Sequence, residues 1–175
     1  MRQQLPKEID PFRFAHTGRV LEGELALADM PRLADALYDN TGLVKVVMRF
    51  DIDETGTPFM QGHFETNLSL TCERCMQELV LPVEIDTALG LVRHEKLAEN
   101  LADQYEPWVI DDGEMSNPAT VVEDELILAL PLVPKHEYDC LPEDVWFSGE
   151  HKDEAEADNK AASPFAVLSA LKSKK

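Results

Sequence analysis

Three consecutive stretches of alternating apolar and polar residues constrain this chain more than anything else in it. In the first, Val44, Val46, Met48, Phe50 and Ile52 interleave with Lys45, Arg49, Asp51 and Asp53. Successive side chains of an extended chain point to opposite faces, so this period of two specifies a half-buried strand. Glu54-Thr55-Gly56-Thr57-Pro58 supplies a turn. The second stretch places Met60, Gly62, Phe64, Thr66, Leu68 and Leu70 inward, with Gln61, His63, Glu65, Asn67 and Ser69 outward. After a reversal at Cys72–Cys75, Leu79, Leu81, Val83, Ile85, Leu89 and Leu91 carry a third strand, bent at Pro82 or Gly90. Strands that follow one another through short turns pair as an antiparallel meander. The expected fold is α+β: an antiparallel sheet closing toward a small barrel, with a few helices packed on it.

The helical signals are shorter. Residues 1–28 read as an irregular arm and a short strand. Asp29 is a good N-cap and Pro31 suits a first turn, so Leu33, Ala36 and Leu37 would share one stripe of a helix ending near Asn40-Thr41-Gly42. A short exposed helix is expected over 93–104 and a short strand at Trp108-Val109-Ile110. Asn117 caps a further helix with Pro118 in its first position, its apolar face being Val121, Val122, Leu126, Ile127 and Leu130. Pro131 ends it and Leu132-Val133-Pro134 leaves extended. Residues 1–148 thus form one domain. Residues 149–162 are polar, charged and poor in bulky apolar side chains, which predicts a disordered linker. Residues 163–175 form a short amphipathic, basic helix motif: Ser163 caps, Pro164 opens, and Phe165, Leu168 and Leu171 recur on one face with Lys172 beyond them. A helix this short is marginal in water and is expected to fold on docking.

Charge narrows the function. Thirty-four acids against sixteen lysines and arginines leave a net −18. Of this, residues 95–148 carry fourteen acids and only Lys96 and Lys135. Binding to a phosphate backbone proceeds by cationic side chains releasing counterions, so this body disfavours nucleic acid and favours a basic partner. No apolar run approaches the roughly 20 residues that cross a bilayer. Met1–Glu8 has no apolar region and is no signal peptide. Among eight glycines there is no phosphate-binding loop. His16, His63, His94 and His151 have no nucleophile or orienting acid at a recognisable spacing. The expectation is a cytoplasmic protein that is not an enzyme, with no membrane and no small-molecule substrate.

The three cysteines are an odd number and give no disulfide framework. Cys72-Glu73-Arg74-Cys75 at a hairpin tip is the usual half of a tetrahedral zinc site, because both sulfurs reach one ion across a tight turn. His136 and Cys140 are candidates for the other half, giving Cys3His, a closed structural site with no position left for catalysis. Two other readings stand beside it. A thiol redox site is one, although such a site opens a helix and here strands flank the pair. Three unrelated reduced thiols are the other. In the run Glu123-Asp124-Glu125, consecutive acids lie about 100° apart around a helix and cannot all face one metal, so a solvated outer face is the plain reading.

Three blocks together, Thr71–Cys75, Val122–His136 closed by Cys140, and Ser163–Lys172, resemble the YceD-type family of large ribosomal RNA subunit accumulation proteins, over about Leu5 to Lys172. The resemblance implies a non-enzymatic factor needed for synthesis, processing or accumulation of large-subunit (23S) ribosomal RNA. Its partner would be a basic ribosomal protein or an assembly factor on the precursor particle, with limited or indirect contact to RNA. Glu123, Asp124 and Glu125 would form an acidic docking face for it, and Phe165, Leu168, Leu171 and Lys172 a tethered anchor. The alternatives from other classes are a zinc-binding adaptor unrelated to ribosomes and a thiol redox protein.

Overall fold

The structure, a computed structural model, describes residues 5–111 and 113–142. The expected linker at 149–162 and the helix motif at 163–175, with Phe165, Leu168, Leu171 and Lys172, lie outside the described residues. By its internal contacts the chain divides into a compact unit Met1–Cys140 and a second, Leu141–Lys175. The strands and helices below all belong to the first unit.

The meander forms where the alternation placed it. Strands β3 (Leu43–Ile52), β4 (Pro58–Thr71) and β5 (Glu78–Val92) pair in antiparallel succession, with Val46 opposite Phe64 and Phe64 opposite Ile85. Val44, Val46, Met48, Phe50, Met60, Phe64, Leu68 and Leu70 are all buried, making one apolar face. Gly62 keeps this face flat: a Cβ there would lie 2.6 Å from Cζ of the buried Phe64 and 2.9 Å from Cγ2 of Thr87. Strand β1 (Val20–Ala26) pairs antiparallel with the far side of β3. Two elements complete the sheet differently. The three-residue β2 (Leu37–Asp39) pairs with the end of β4 that overhangs β3, and β6 (Glu106–Val109) lies parallel to Leu89–Val92 of β5.

The strand order is therefore β1-β3-β4-β5-β6, with β2 beside β4, a mostly antiparallel mixed sheet of six strands. It is not a barrel. Closure would require β1 to pair with the other edge, but that edge is a four-residue parallel strand covering only one end of β5. The run of β5 from Glu78 to Ala88 has no strand on that side among the described residues.

The helices correct the sequence reading in three places. The arm contains α1 (Pro11–His16), capped by Asp10, whose carboxylate accepts from Arg13 N at 3.0 Å. The same cap-then-proline pattern that marks Asn117 is present here. The helix expected from Asp29 to Asn40 shrinks to α2 (Pro31–Ala34), because Leu37 and Asp39 are drawn into the ladder by Leu70 and Ser69. The helix expected over 93–104 shrinks to α3 (Glu95–Ala98). The last helix, α4 (Pro118–Leu128), is capped by Asn117, whose side chain accepts from Ala119 N at 3.0 Å. It buries Val121, Val122 and Leu126. No helix among the described residues is long and apolar enough to cross a membrane.

Candidate metal centre

Strand β4 ends at Thr71 and β5 begins at Glu78, so Cys72–Gln77 must reverse the chain in six residues. Cys72 N donates to Gln77 O at 2.9 Å, and Met76 N donates to Cys72 O at 2.8 Å. Met76 takes φ 60°, the left-handed conformation that a tight reversal needs and that costs a side-chain-bearing residue energy. This bend turns both sulfurs to one side. On the other half, Pro131 cannot continue α4, and the chain returns to the hairpin tip. Glu73 N donates to Pro134 O at 2.8 Å, and Arg74 donates through one Nη to His136 O at 2.8 Å and through the other to Asp139 at 3.0 Å.

These contacts bring all four expected ligands together. One ligand atom from each of Cys72, Cys75, His136 and Cys140 lies within 4.8 Å of every other. Cys72 Sγ is 3.8 Å from Cys140 Sγ, and Cys75 Sγ is 3.5 Å from His136 Nδ1. A tetrahedral ion with metal–sulfur bonds of about 2.3 Å and metal–nitrogen bonds of about 2.0 Å has sulfur–sulfur edges of about 3.8 Å and sulfur–nitrogen edges of about 3.5 Å. The two distances match those edges. The backbone orients the His136 ring, whose Nε2 lies 3.0 Å from Glu78 O. A carbonyl only accepts, so Nε2 carries the proton and Nδ1 presents its lone pair to the sulfurs, the usual outer hydrogen bond of a ligating histidine.

The electrostatics agree with the geometry. Burial alone would raise the pKa of Cys72, which is fully enclosed, but the backbone N–H groups of Cys75, His136 and Arg74 outweigh it and bring the thiol down to about 6. Cys140 is pushed up to about 11 by burial and by the neighbouring sulfurs of Cys75 and Cys72. One thiolate is favoured, and further negative charge accumulates poorly unless a cation shares it. Four protein donors fill a tetrahedron, so such a centre holds structure and offers no open coordination position. The pair is flanked by strands rather than opening a helix, and Cys72 is enclosed, which is the reverse of an exposed attacking thiol.

The acidic run behaves otherwise than the sequence suggested. Glu123 is only 4% exposed. Its Oε1 accepts from the backbone N–H of Arg32 at 2.7 Å and of Leu33 at 3.2 Å, and its Oε2 accepts from Nε and Nη2 of Arg32 at 2.9 and 2.8 Å. Asp124 accepts from the remaining Arg32 nitrogen at 2.5 Å. Glu125 is partly buried, and burial followed by repulsion from Glu106 raises its pKa. The three carboxylates therefore do not make one outward face, and Glu123 is engaged inside the fold. Sequence reasoning missed Arg32; no local signal links it to a helix that begins 86 residues later.

Comparison with known proteins places these elements in a wider setting. A family model described as "Large ribosomal RNA subunit accumulation protein YceD" matches residues 60–172, a span holding both halves of the centre. A protein of Haemophilus influenzae described in the same words is 30% identical over 182 aligned residues, covering 98% of each chain. No solved structure matches.

Proposed function

The chain belongs to the YceD family of large ribosomal RNA subunit accumulation proteins, and from that premise we propose that it supports accumulation of 23S ribosomal RNA by binding protein on the precursor of the large subunit, without catalysis. The observation that carries this reading is the relationship along 98% of both chains, which extends through the sheet, the hairpin tip and the segment after α4. The net charge of −18 supports a protein partner over the RNA duplex. A basic ribosomal protein or assembly factor fits that charge, in the cytoplasmic setting where such particles mature.

Cys72, Cys75, His136 and Cys140 would hold a structural zinc ion. When bound, it supplies four bonds that tie the segment after α4 to the hairpin tip. The chain's own hydrogen bonds from Glu73, Arg74 and His136 prepare that junction. Phe165, Leu168, Leu171 and Lys172, inside the span matched by the family, are proposed as a second contact to the particle. Glu123 is removed from the docking surface by its burial; Asp124 stays at the surface beside Arg32.

Depletion of the protein tests the reading. The ratio of large-subunit to small-subunit ribosomal RNA should fall, with precursor ends accumulating, and recover on re-expression of the full chain. An unchanged ratio with normal ends would overturn it.

A further inference from the structure

The segment that follows α4 exposes apolar side chains that the fold leaves uncovered. Leu132 is 102% exposed, Tyr138 63% and Val133 60%; opposite them Val80 of β5 is 58% exposed. Single exposed apolar residues are ordinary, whereas a contiguous set marks a site of association. Three of these are contiguous: Val80, Val133 and Tyr138, with Pro131 and Pro134, line one groove of about 520 Å³, and Leu132 sits in the chain between two of its lining residues. The segment under them is pinned, since the backbone carbonyls of Pro134 and His136 and the ring Nε2 of His136 are each hydrogen-bonded to the hairpin.

The opposite wall shows the shape of the occupant. Leu79, Val80, Leu81 and Pro82 are consecutive, and all four line the groove. Neighbouring residues of a strand face opposite ways, so a groove touching all four runs along the edge of β5 and not over one face. That edge is the stretch bare of any strand from Glu78 to Ala88 among the described residues. An open edge receives an extended peptide by backbone hydrogen bonding, with apolar side chains taken into flanking pockets. Pro82 removes one donor from the edge and so limits pairing with copies of the chain itself.

Charge selects the partner. Glu137 lines the groove, Glu78 and Asp139 adjoin its lining residues, and residues 95–148, which supply its second wall, carry fourteen acids against Lys96 and Lys135. Against these stand Lys135, and Arg74, which is already bonded to Asp139. We propose that this groove, between the bare edge of β5 and Pro131–Tyr138, binds an extended protein segment in which apolar residues are flanked by lysine or arginine. The proposal rests on the ribosomal reading above, from which the partner would be a basic protein of the large-subunit precursor. It also gives the metal centre a purpose, because the four ligands hold one wall of the groove against the other.

The test uses the full chain carrying a benzophenone amino acid in place of Leu132, irradiated with purified large-subunit precursor particles. The Leu132 side chain is fully exposed, so the replacement does not disturb packing. The expected product is an adduct to a basic protein segment, mapped by mass spectrometry. Val133→Asp, in the groove wall and 60% exposed, should weaken co-sedimentation with the particles about tenfold, the loss typical of one well-placed apolar contact, while metal content and circular dichroism stay unchanged. Glu137→Lys should weaken it and flatten its salt dependence. An adduct to RNA, to a second copy, or to residues 143–175 of the same chain overturns the proposal, as does sedimentation indifferent to Val133→Asp. If depletion lowers the ribosomal RNA ratio while adducts form elsewhere, only the groove is wrong. If the ratio is unchanged, both readings fall.

Discussion

Glu123 caps a helix that begins at Pro31. Its carboxylate takes the backbone N–H groups of Arg32 and Leu33 at the start of α2, a place where Met30 provides no side-chain cap. The same carboxylate grips the Arg32 guanidinium at 2.8 Å. One side chain thus satisfies the free donors of a short helix and ties it to α4. The acidic run singled out for docking is in part an internal fastener.

Removing that fastener should be costly. Glu123→Ala leaves the part-buried amide of Arg32 and the buried amide of Leu33 without their acceptor, while the Arg32 guanidinium keeps Asp124 and the Thr120 carbonyl, so we expect a loss of about 2–3 kcal/mol in urea unfolding. Asp124→Ala, at an exposed pair, should change stability by less than about 1 kcal/mol. Equal effects of the two would count against the capping role.

The same carboxylate fixes an acid limit. Burial raises the Glu123 pKa, but the hydrogen bonds from Arg32 and Leu33 outweigh it and hold the group below its ordinary value. A depressed folded pKa contributes stability that is complete above the unfolded value, about 4.3, and is lost as pH falls through the folded one. The stability difference between wild type and Glu123→Gln should therefore shrink as pH is lowered below about 4.

His63 works in the opposite sense. Asp86, with Oδ1 at 2.7 Å, and to a lesser degree Glu65, with Oε1 at 3.2 Å, raise its pKa. Its contribution is present below the unfolded value of about 6.5 and fades as pH rises through the folded value. The excess stability of wild type over His63→Gln should decline as pH rises from about 6 to about 8, read as a narrowing gap between urea midpoints.

The metal centre predicts one zinc per chain by elemental analysis, and none after Cys75→Ser. Cobalt substitution should give thiolate charge-transfer bands in the near ultraviolet, absent in that variant. Because ligands must lose protons, binding should weaken as pH falls. Chelation should lower the melting temperature of wild type and leave Cys75→Ser unmoved. Full zinc occupancy in Cys75→Ser would remove the proposed ligand set.

Gly62 gives a check on packing alone. With Phe64 fully buried and unable to swing away, Gly62→Ala should cost about 1–3 kcal/mol by overpacking. An unchanged unfolding midpoint would show that the sheet relaxes more than its contacts suggest.

What the sequence determined by itself is whatever depends on neighbours along the chain. The strand period of Val44–Ile52 and Met60–Leu70, the reversal at Cys72–Cys75 and the Asn117–Pro118 helix start were all legible, because alternation and capping act within a few residues. Ligand chemistry made Cys72, Cys75, His136 and Cys140 legible as a candidate set. Only the tertiary structure decided that they meet, through Pro134, His136 and Glu78, whose backbone groups carry no mark in the sequence. It also decided that Leu37–Asp39 is strand and not helix, since the unpaired overhang of β4 outweighs a weak local preference. Arg32 and Glu123 stand 91 residues apart, and the choice between solvated face and buried cap lay in which charge the fold would bring opposite each. Burial is settled by partners distant in the chain, and a local pattern cannot name them.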